Sequence, residues 1–222
     1  MSDDEIRHST PEEVTTIQGT EERARCEASN SLKQAARVSE IIWAAVDGER
    51  PFRLRPSTLL DLNRCAIEGL DAYAGNWRPG NVSITKSEHQ PPAAHQVPEY
   101  IEELCDYVNE NWDGRTGVHL SAFVMWRLNW IHPFTDGNGR TSRAASYVVL
   151  CVKEQVKLPG TKSIPEQITE NHRAAYYSAI EAADQKYKKS GFIEDIVEEM
   201  EYLIGSLLAE QLAHLHRSAT GQ

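Results

Sequence analysis

Twelve consecutive residues, His132-Pro-Phe-Thr-Asp-Gly-Asn-Gly-Arg-Thr-Ser-Arg143, bring together a titratable base, a carboxylate, a Gly-Asn-Gly turn and two arginines. His132 is the only nearby side chain whose ordinary pKa lies close to neutrality, which makes it the natural general base. Asp136 offers hard oxygen ligands of the kind that hold Mg²⁺ against phosphate. Gly137, Asn138 and Gly139 can take positive φ at little cost, so successive backbone N–H groups can converge on one concavity. The apolar positions that follow (Ala144, Ala145, Val148, Val149, Val152) imply that a helix opens at the turn. A helix N-terminus with unpaired amides attracts anions. Arg140 and Arg143, three residues apart, share a face of that helix and can reach one polyphosphate. Pro133 and Phe134 read as structural, one restricting φ and the other anchoring the loop in the core. The chemistry this set supports is deprotonation of a hydroxyl beside a bound, metal-bridged phosphate chain.

The elements that must position these residues are helical. Residues 21–45 carry Ala28, Leu32, Ala35, Ile41 and Ile42 at helical spacing. Pro51 and Pro56 interrupt the pattern, and Ser57 is expected to cap a second helix running to about Tyr73. A third follows Pro98 and buries Ile101, Leu104, Val108 and Trp112. Residues 118–131 are apolar almost all round, which predicts a central buried helix that ends where the motif begins. Pro159-Gly160 is expected to be a loop, Pro165 opens a further segment, and an amphipathic helix spans 193–215. The exception is 75–92, where Val82-Ser83-Ile84-Thr85 alternates apolar and polar between Pro79-Gly80-Asn81 and Pro91-Pro92. That pattern predicts a short β-hairpin or flap. The fold class expected is all-α with a β-hairpin flap.

Composition narrows the function classes. The chain has 222 residues, enough for one well-cored domain, with 33 acidic against 23 basic residues and a formal charge of -10. Such a surface argues against nucleic acid as the main partner. The four cysteines (Cys26, Cys65, Cys105, Cys151) show no metal-type spacing, and reduced thiols are expected. His214 and His216 in the polar tail read as solvated. Residues 1–13 are polar and acidic rather than a secretory signal, and the longest apolar run, 144–152, is too short for a bilayer. A cytoplasmic protein without a membrane partner is expected, although delivery into another cell would leave no trace in such a sequence.

The motif resembles, at every fixed position, the core of the Fic (filamentation induced by cAMP) family, His-Pro-Phe-x-Asp/Glu-Gly-Asn-Gly-Arg-x-x-Arg. The resemblance extends from about 56 to 207, taking in Gly75-Asn-Trp-Arg78, Val82 to Thr85 and Ala174-Ala-Tyr-Tyr-Ser-Ala-Ile180. It implies a single Fic domain over 21–217, preceded by a polar segment 1–20 and followed by a tail 218–222. It implies protein adenylyltransfer: His132 deprotonates a Ser, Thr or Tyr hydroxyl of a protein substrate, which attacks the α-phosphorus of ATP and expels pyrophosphate. By the same resemblance Asp136 holds Mg²⁺, the 137–139 amides cradle the phosphates and Asn138 orients the α-phosphate. Arg140 and Arg143 neutralise the β- and γ-phosphates. Tyr176, Tyr177 and Asp184 would lie near the base and ribose. Val82 to Thr85 would dock the target as an added strand, with self-modification as a by-product.

Regulation in this family often comes from a Ser/Thr-x-x-x-Glu-Gly/Asn helix whose glutamate pairs with the second motif arginine. Thr15-Thr-Ile-Gln18-Gly19 is similar but places an uncharged Gln18 at the glutamate position and Val14 at the first Ser/Thr position. Ser206-Leu-Leu-Ala-Glu210 has the spacing but is followed by Gln211, and Glu27 is a third candidate. A separate antitoxin, or a homodimer, also fits the resemblance. Other transfers known on this fold remain alternatives: another NTP donor, a terminal phosphate, phosphocholine, or AMP removal. So does a nucleotide-binding module without catalysis.

Overall fold

Helix α4 (Gly117–Ile131) is the axis around which the chain packs, and nearly all of its side chains are buried. The computed structural model describes residues 19–48, 51–84, 87–156, 163–192 and 195–220. The other helices are α1 (Thr20–Val46), α2 (Pro56–Ile67), α3 (Val97–Glu110), α5 (Asn138–Lys153), α6 (Ile164–Glu170), α7 (Arg173–Ser190) and α8 (Glu198–Thr220). α4 touches α3, α5, α7 and α8, while α1 and α2 close over the other side of α5. Small residues allow α4 and α5 to approach closely: Ser121 and Ser146 share a buried hydrogen bond of 2.7 Å beside Ala122 and Ala145. No strand occurs among the described residues.

Most expected elements form, with local departures that have physical causes. The second helix begins with Pro56 at its first position rather than with a Ser57 cap, because a proline there gives up only an N–H that has no helical partner. It ends at Ile67 instead of near Tyr73: Glu68 turns extended and Gly69 is left-handed (φ 75°). The expected hairpin is not formed among the described residues. Val82 and Ile84 are half-buried and Ser83 exposed, so the alternation survives without a paired strand. The returning arm holds Pro91 and Pro92, which have no N–H to give a ladder. Thr85 lies outside the described residues. Of the cysteines, Cys105 and Cys151 are buried and Cys26 and Cys65 half-buried, and all four are unpaired thiols.

Asn63 on α2 joins three segments around the motif. Its amide nitrogen donates to the Asp136 carbonyl (3.0 Å) and to Thr141 Oγ1 (3.3 Å), and its oxygen accepts from the Gly75 N–H (3.0 Å). Asn63→Ala strands a buried N–H and a carbonyl, and should lower the unfolding free energy by about 2–4 kcal/mol. Urea unfolding checks this; a change below about 1 kcal/mol would remove Asn63 from that role.

Candidate active site

His132 ends α4 in the left-handed region (φ 50°, ψ 58°), which non-glycine residues rarely adopt and which costs about 1–2 kcal/mol. The turn redirects the chain into the 133–137 loop. Phe134 is buried and packs against Trp77 in a tilted pair with ring centres 5.2 Å apart. The Asn138 side chain is committed to the same loop: its oxygen accepts from the Phe134 N–H and its amide donates to the Phe134 carbonyl, both at 2.9 Å. Gly137 is left-handed (φ 77°) and caps α5, and its N–H donates to Asp136 Oδ1 at 2.6 Å. The first intrahelical bond runs from the Thr141 N–H to the Gly137 carbonyl (2.8 Å). The amides of Asn138, Gly139 and Arg140 precede it and point out of the helix end, where negative charge is favoured.

These residues open onto a cavity of about 410 Å³. It is lined by His132, the 135–140 turn, Arg143 and Tyr176, together with Ile168, Thr169, Arg173 and Tyr177. Three arginines against one aspartate make the lining net positive, in contrast to the whole chain, and suited to a polyphosphate. Arg140 donates to the Ala66 carbonyl (3.0 Å) and pairs with Asp136 Oδ2 (3.1 Å). The Arg143 guanidinium lies 5.9 Å from the centre of the Tyr176 ring.

Burial pushes the His132 pKa down to about 4; the Asn129 carbonyl and the Asp136 charge oppose this, and the Arg78 and His89 charges reinforce it. Nδ1 is buried without a formed hydrogen bond, which leaves Nε2 as the ring nitrogen on the cavity side. The ring is therefore neutral at pH 7 and able to accept a proton. An unfolded imidazole titrates near 6.5, so between about 6.5 and 4 the unfolded chain binds the extra proton. Stability is then lost as the pH falls through that window, by up to about 3 kcal/mol. Urea midpoints at neutral pH and at about pH 4.5 should show this loss in the wild type and a smaller one in His132→Gln. Equal losses would show that His132 is not buried in the neutral form.

The structure brings most of the expected residues together and separates others. His132, Asp136, Gly137, Gly139, Arg140 and Arg143 share the cavity, as do Asn138, Tyr176 and Tyr177. Three positions gain detail. The Asn138 side chain is held by the loop, its oxygen and one N–H of its amide meeting the Phe134 backbone. Tyr176 is almost wholly buried, with its hydroxyl accepting from Asn129 (2.8 Å), whereas Tyr177 is 55% exposed and is the ring that a base could stack on. Asp184 does not line the cavity: two helical turns beyond Tyr177, it accepts from the Trp126 indole N–H at 2.8 Å. Glu210 is exposed on α8 and is not a cavity residue. Glu27 pairs with Arg23 (3.2 Å), and Gln18 lies outside the described residues.

Thr135, Ile168, Thr169 and Arg173 are cavity residues that the sequence reasoning missed. Arg173 had a signal, since it stands three and four residues before the tyrosine pair and so shares their helix face. Arg23, whose guanidinium lies 3.9 Å from Asp136 Oδ2, had none. Asp136 is the one carboxylate among the lining residues, and no cluster of three metal-ligating side chains occurs among the described residues. A single carboxylate already balanced by guanidinium groups suits a hard divalent ion whose other ligands are phosphate oxygens and water, rather than a protein-caged metal. No helix of the described residues is long and apolar enough to cross a membrane.

Residues 53–150 match the model of the Fic/DOC family. A protein adenylyltransferase Fic of Nematostella vectensis is 32% identical over 78 residues, 35% of this chain and 18% of that protein. Its counterpart in Drosophila willistoni is 27% identical over 129 residues, 57% of this chain and 24% of that protein. The chain thus spans about a quarter or less of the length of these relatives. In fold it is similar to a Fic domain containing signaling protein from Bacteroides thetaiotaomicron, with TM-score 0.71 and 21% identity over 87% of this chain and 73% of the other. It is also similar to BepC, a translocated effector of Bartonella tribocorum solved with AMPPNP bound, with TM-score 0.54 and 14% identity over 86% of this chain and 92% of the other.

Proposed function

We propose that this chain, whose residues 53–150 match the Fic/DOC family model, is a protein adenylyltransferase that moves AMP from ATP to a side-chain hydroxyl of a protein. The observation that carries the reading is one cavity in which a neutral imidazole, outward-pointing helix amides and paired arginines converge. His132 Nε2 takes the proton from an incoming Ser, Thr or Tyr hydroxyl. The hydroxyl oxygen forms a bond to the α-phosphorus, the bond from that phosphorus to the β-bridging oxygen breaks, and pyrophosphate leaves. Amides of Asn138, Gly139 and Arg140 hold the phosphates, while Arg143 and Arg140 neutralise the β- and γ-groups. Asp136 would hold Mg²⁺, which supplies charge neutralisation between phosphates. Positioning and electrostatics account for most of the acceleration in such a transfer.

Several features support this reading over its neighbours. The alternation of Val82, Ser83 and Ile84, with Ser83 exposed and no paired strand among the described residues, suits an edge to which an acceptor segment adds, a form of recognition that tolerates sequence variation. The cavity's lining of three arginines against one aspartate fits a polyanionic nucleotide tail better than phosphocholine, which carries a cation. AMPPNP bound to a protein of the same fold is consistent with ATP as donor. Incubation with Mg²⁺ and either α- or γ-labelled ATP tests the proposal. Protein-bound label from the α position alone is expected; label from the γ position would indicate terminal phosphate transfer, and none from either would favour a non-catalytic nucleotide-binding module.

A further inference from the structure

We infer that Arg78 is a positioning residue that couples the docking flap to the base, joining both stems of the 80–92 segment to the backbone of His132. Arg78 is 2% exposed, and each arm of its guanidinium ends on a main-chain carbonyl. Nε donates to the His132 carbonyl (2.8 Å), Nη1 to the Gly80 carbonyl (2.9 Å) and Nη2 to the Pro92 carbonyl. Its own backbone N–H donates to the Pro133 carbonyl at 2.8 Å. One planar group therefore fixes where the flap leaves the body, where it returns, and the left-handed residue that carries the base. Burying a cation against neutral carbonyls is costly, and simple packing does not require it. Only a rigid fork of donors meets three carbonyls in this arrangement; a lysine could satisfy one or two.

The functional part of this inference rests on His132 as base and on the flap as the acceptor's dock. An acceptor held on the flap would have its hydroxyl placed relative to His132 through Arg78. A misplacement of about 1 Å between reacting groups costs on the order of 100-fold in rate. His89 provides a contrast: it also tethers the flap, through Nε2 and the Trp130 carbonyl (2.7 Å), but it makes no hydrogen bond to the His132 backbone.

The test compares wild type, Arg78→Lys and His89→Ala by residue-resolved amide exchange, AMPPNP–Mg²⁺ affinity and self-labelling from α-labelled ATP. The reporters are hydrogen-bonded amides: Ser87, His89 and Ala94 for the flap, His132 and Phe134 for the base loop. In Arg78→Lys both sets should exchange about tenfold faster together, AMPPNP affinity should stay within about twofold, and labelling should fall about 100-fold. In His89→Ala the flap set alone should accelerate. A loosened flap with an unchanged base loop in Arg78→Lys, or labelling at the wild-type rate, would overturn the coupling. If no form of the chain labels itself, the transfer reading fails while the paired exchange still decides whether the clamp exists. Should Arg78→Lys not fold, wild-type exchange decides: the Arg78 guanidinium protons should be as protected as the Phe134 amide, and rapid exchange would exclude the clamp.

Discussion

His132→Ala should lose AMP transfer by about 1,000-fold, the contribution expected of a well-placed general base, while its affinity for ATP with Mg²⁺ stays within a few-fold of wild type. In the proposed pose the phosphates meet the α5 amides and arginines rather than the imidazole, so donor binding and proton removal are expected to be separable. The variant should also be at least as stable as the wild type at neutral pH. It removes a buried Nδ1 that has no formed hydrogen bond. His132→Gly should gain about 1 kcal/mol more, because φ 50° costs glycine nothing. A stable but inactive protein would identify His132 as a residue kept at the expense of the fold. Rates near wild type in His132→Ala would give the proton to another group.

Gly137→Ala should damage both stability and donor binding, by about 2–5 kcal/mol in the folded state from left-handed strain and overpacking combined. At φ 77° a side chain is strained in any surroundings, and here a Cβ would lie 2.8 Å from Ile67 Cγ2 and 3.0 Å from Asn63 Nδ2. Both contacts belong to α2, which is packed against α5 and cannot retreat cheaply. The loop would have to shift outward, turning the α5 amides away from the phosphates. Urea unfolding and ATP titration should therefore change together. A variant that binds ATP normally while being destabilised would show that the amides are not the phosphate cradle.

The parts of the site legible in the sequence were those adjacent along the chain. The motif turn, the start of α5 and the arginine pair could be read because each depends on neighbours within one or two helical turns. α4 was legible because apolar residues on every face demand burial wherever the helix lies. The contacts that hold the motif in place were not legible. Asn63 and Arg78 meet the motif across separations of 73 and 54 residues; Asn63 stands in no pattern that marks it, and Arg78 stands in the Gly75–Arg78 stretch of the resemblance, which does not say what its guanidinium binds. The loop contacts of Asn138 were hidden for a related reason: a side-chain amide can face a phosphate or its own loop, and its bonds to the Phe134 backbone cannot be read from residue order. Asp184 was placed by the family resemblance, whereas its carboxylate accepts from the indole of Trp126 on α4. The 81–84 segment keeps its alternation without a paired strand among the described residues, since a pattern in one arm does not supply the second strand that pairing requires.

The most direct measurement is a crystal structure of the chain with AMPPNP and Mg²⁺. The triphosphate should lie across the N-terminus of α5, with a β-phosphate oxygen on the Gly139 amide, the tail at Arg143, the base against Tyr177 and the α-phosphorus facing His132 Nε2. A nucleotide bound outside this cavity, or one whose α-phosphorus is turned away from His132, would contradict the account.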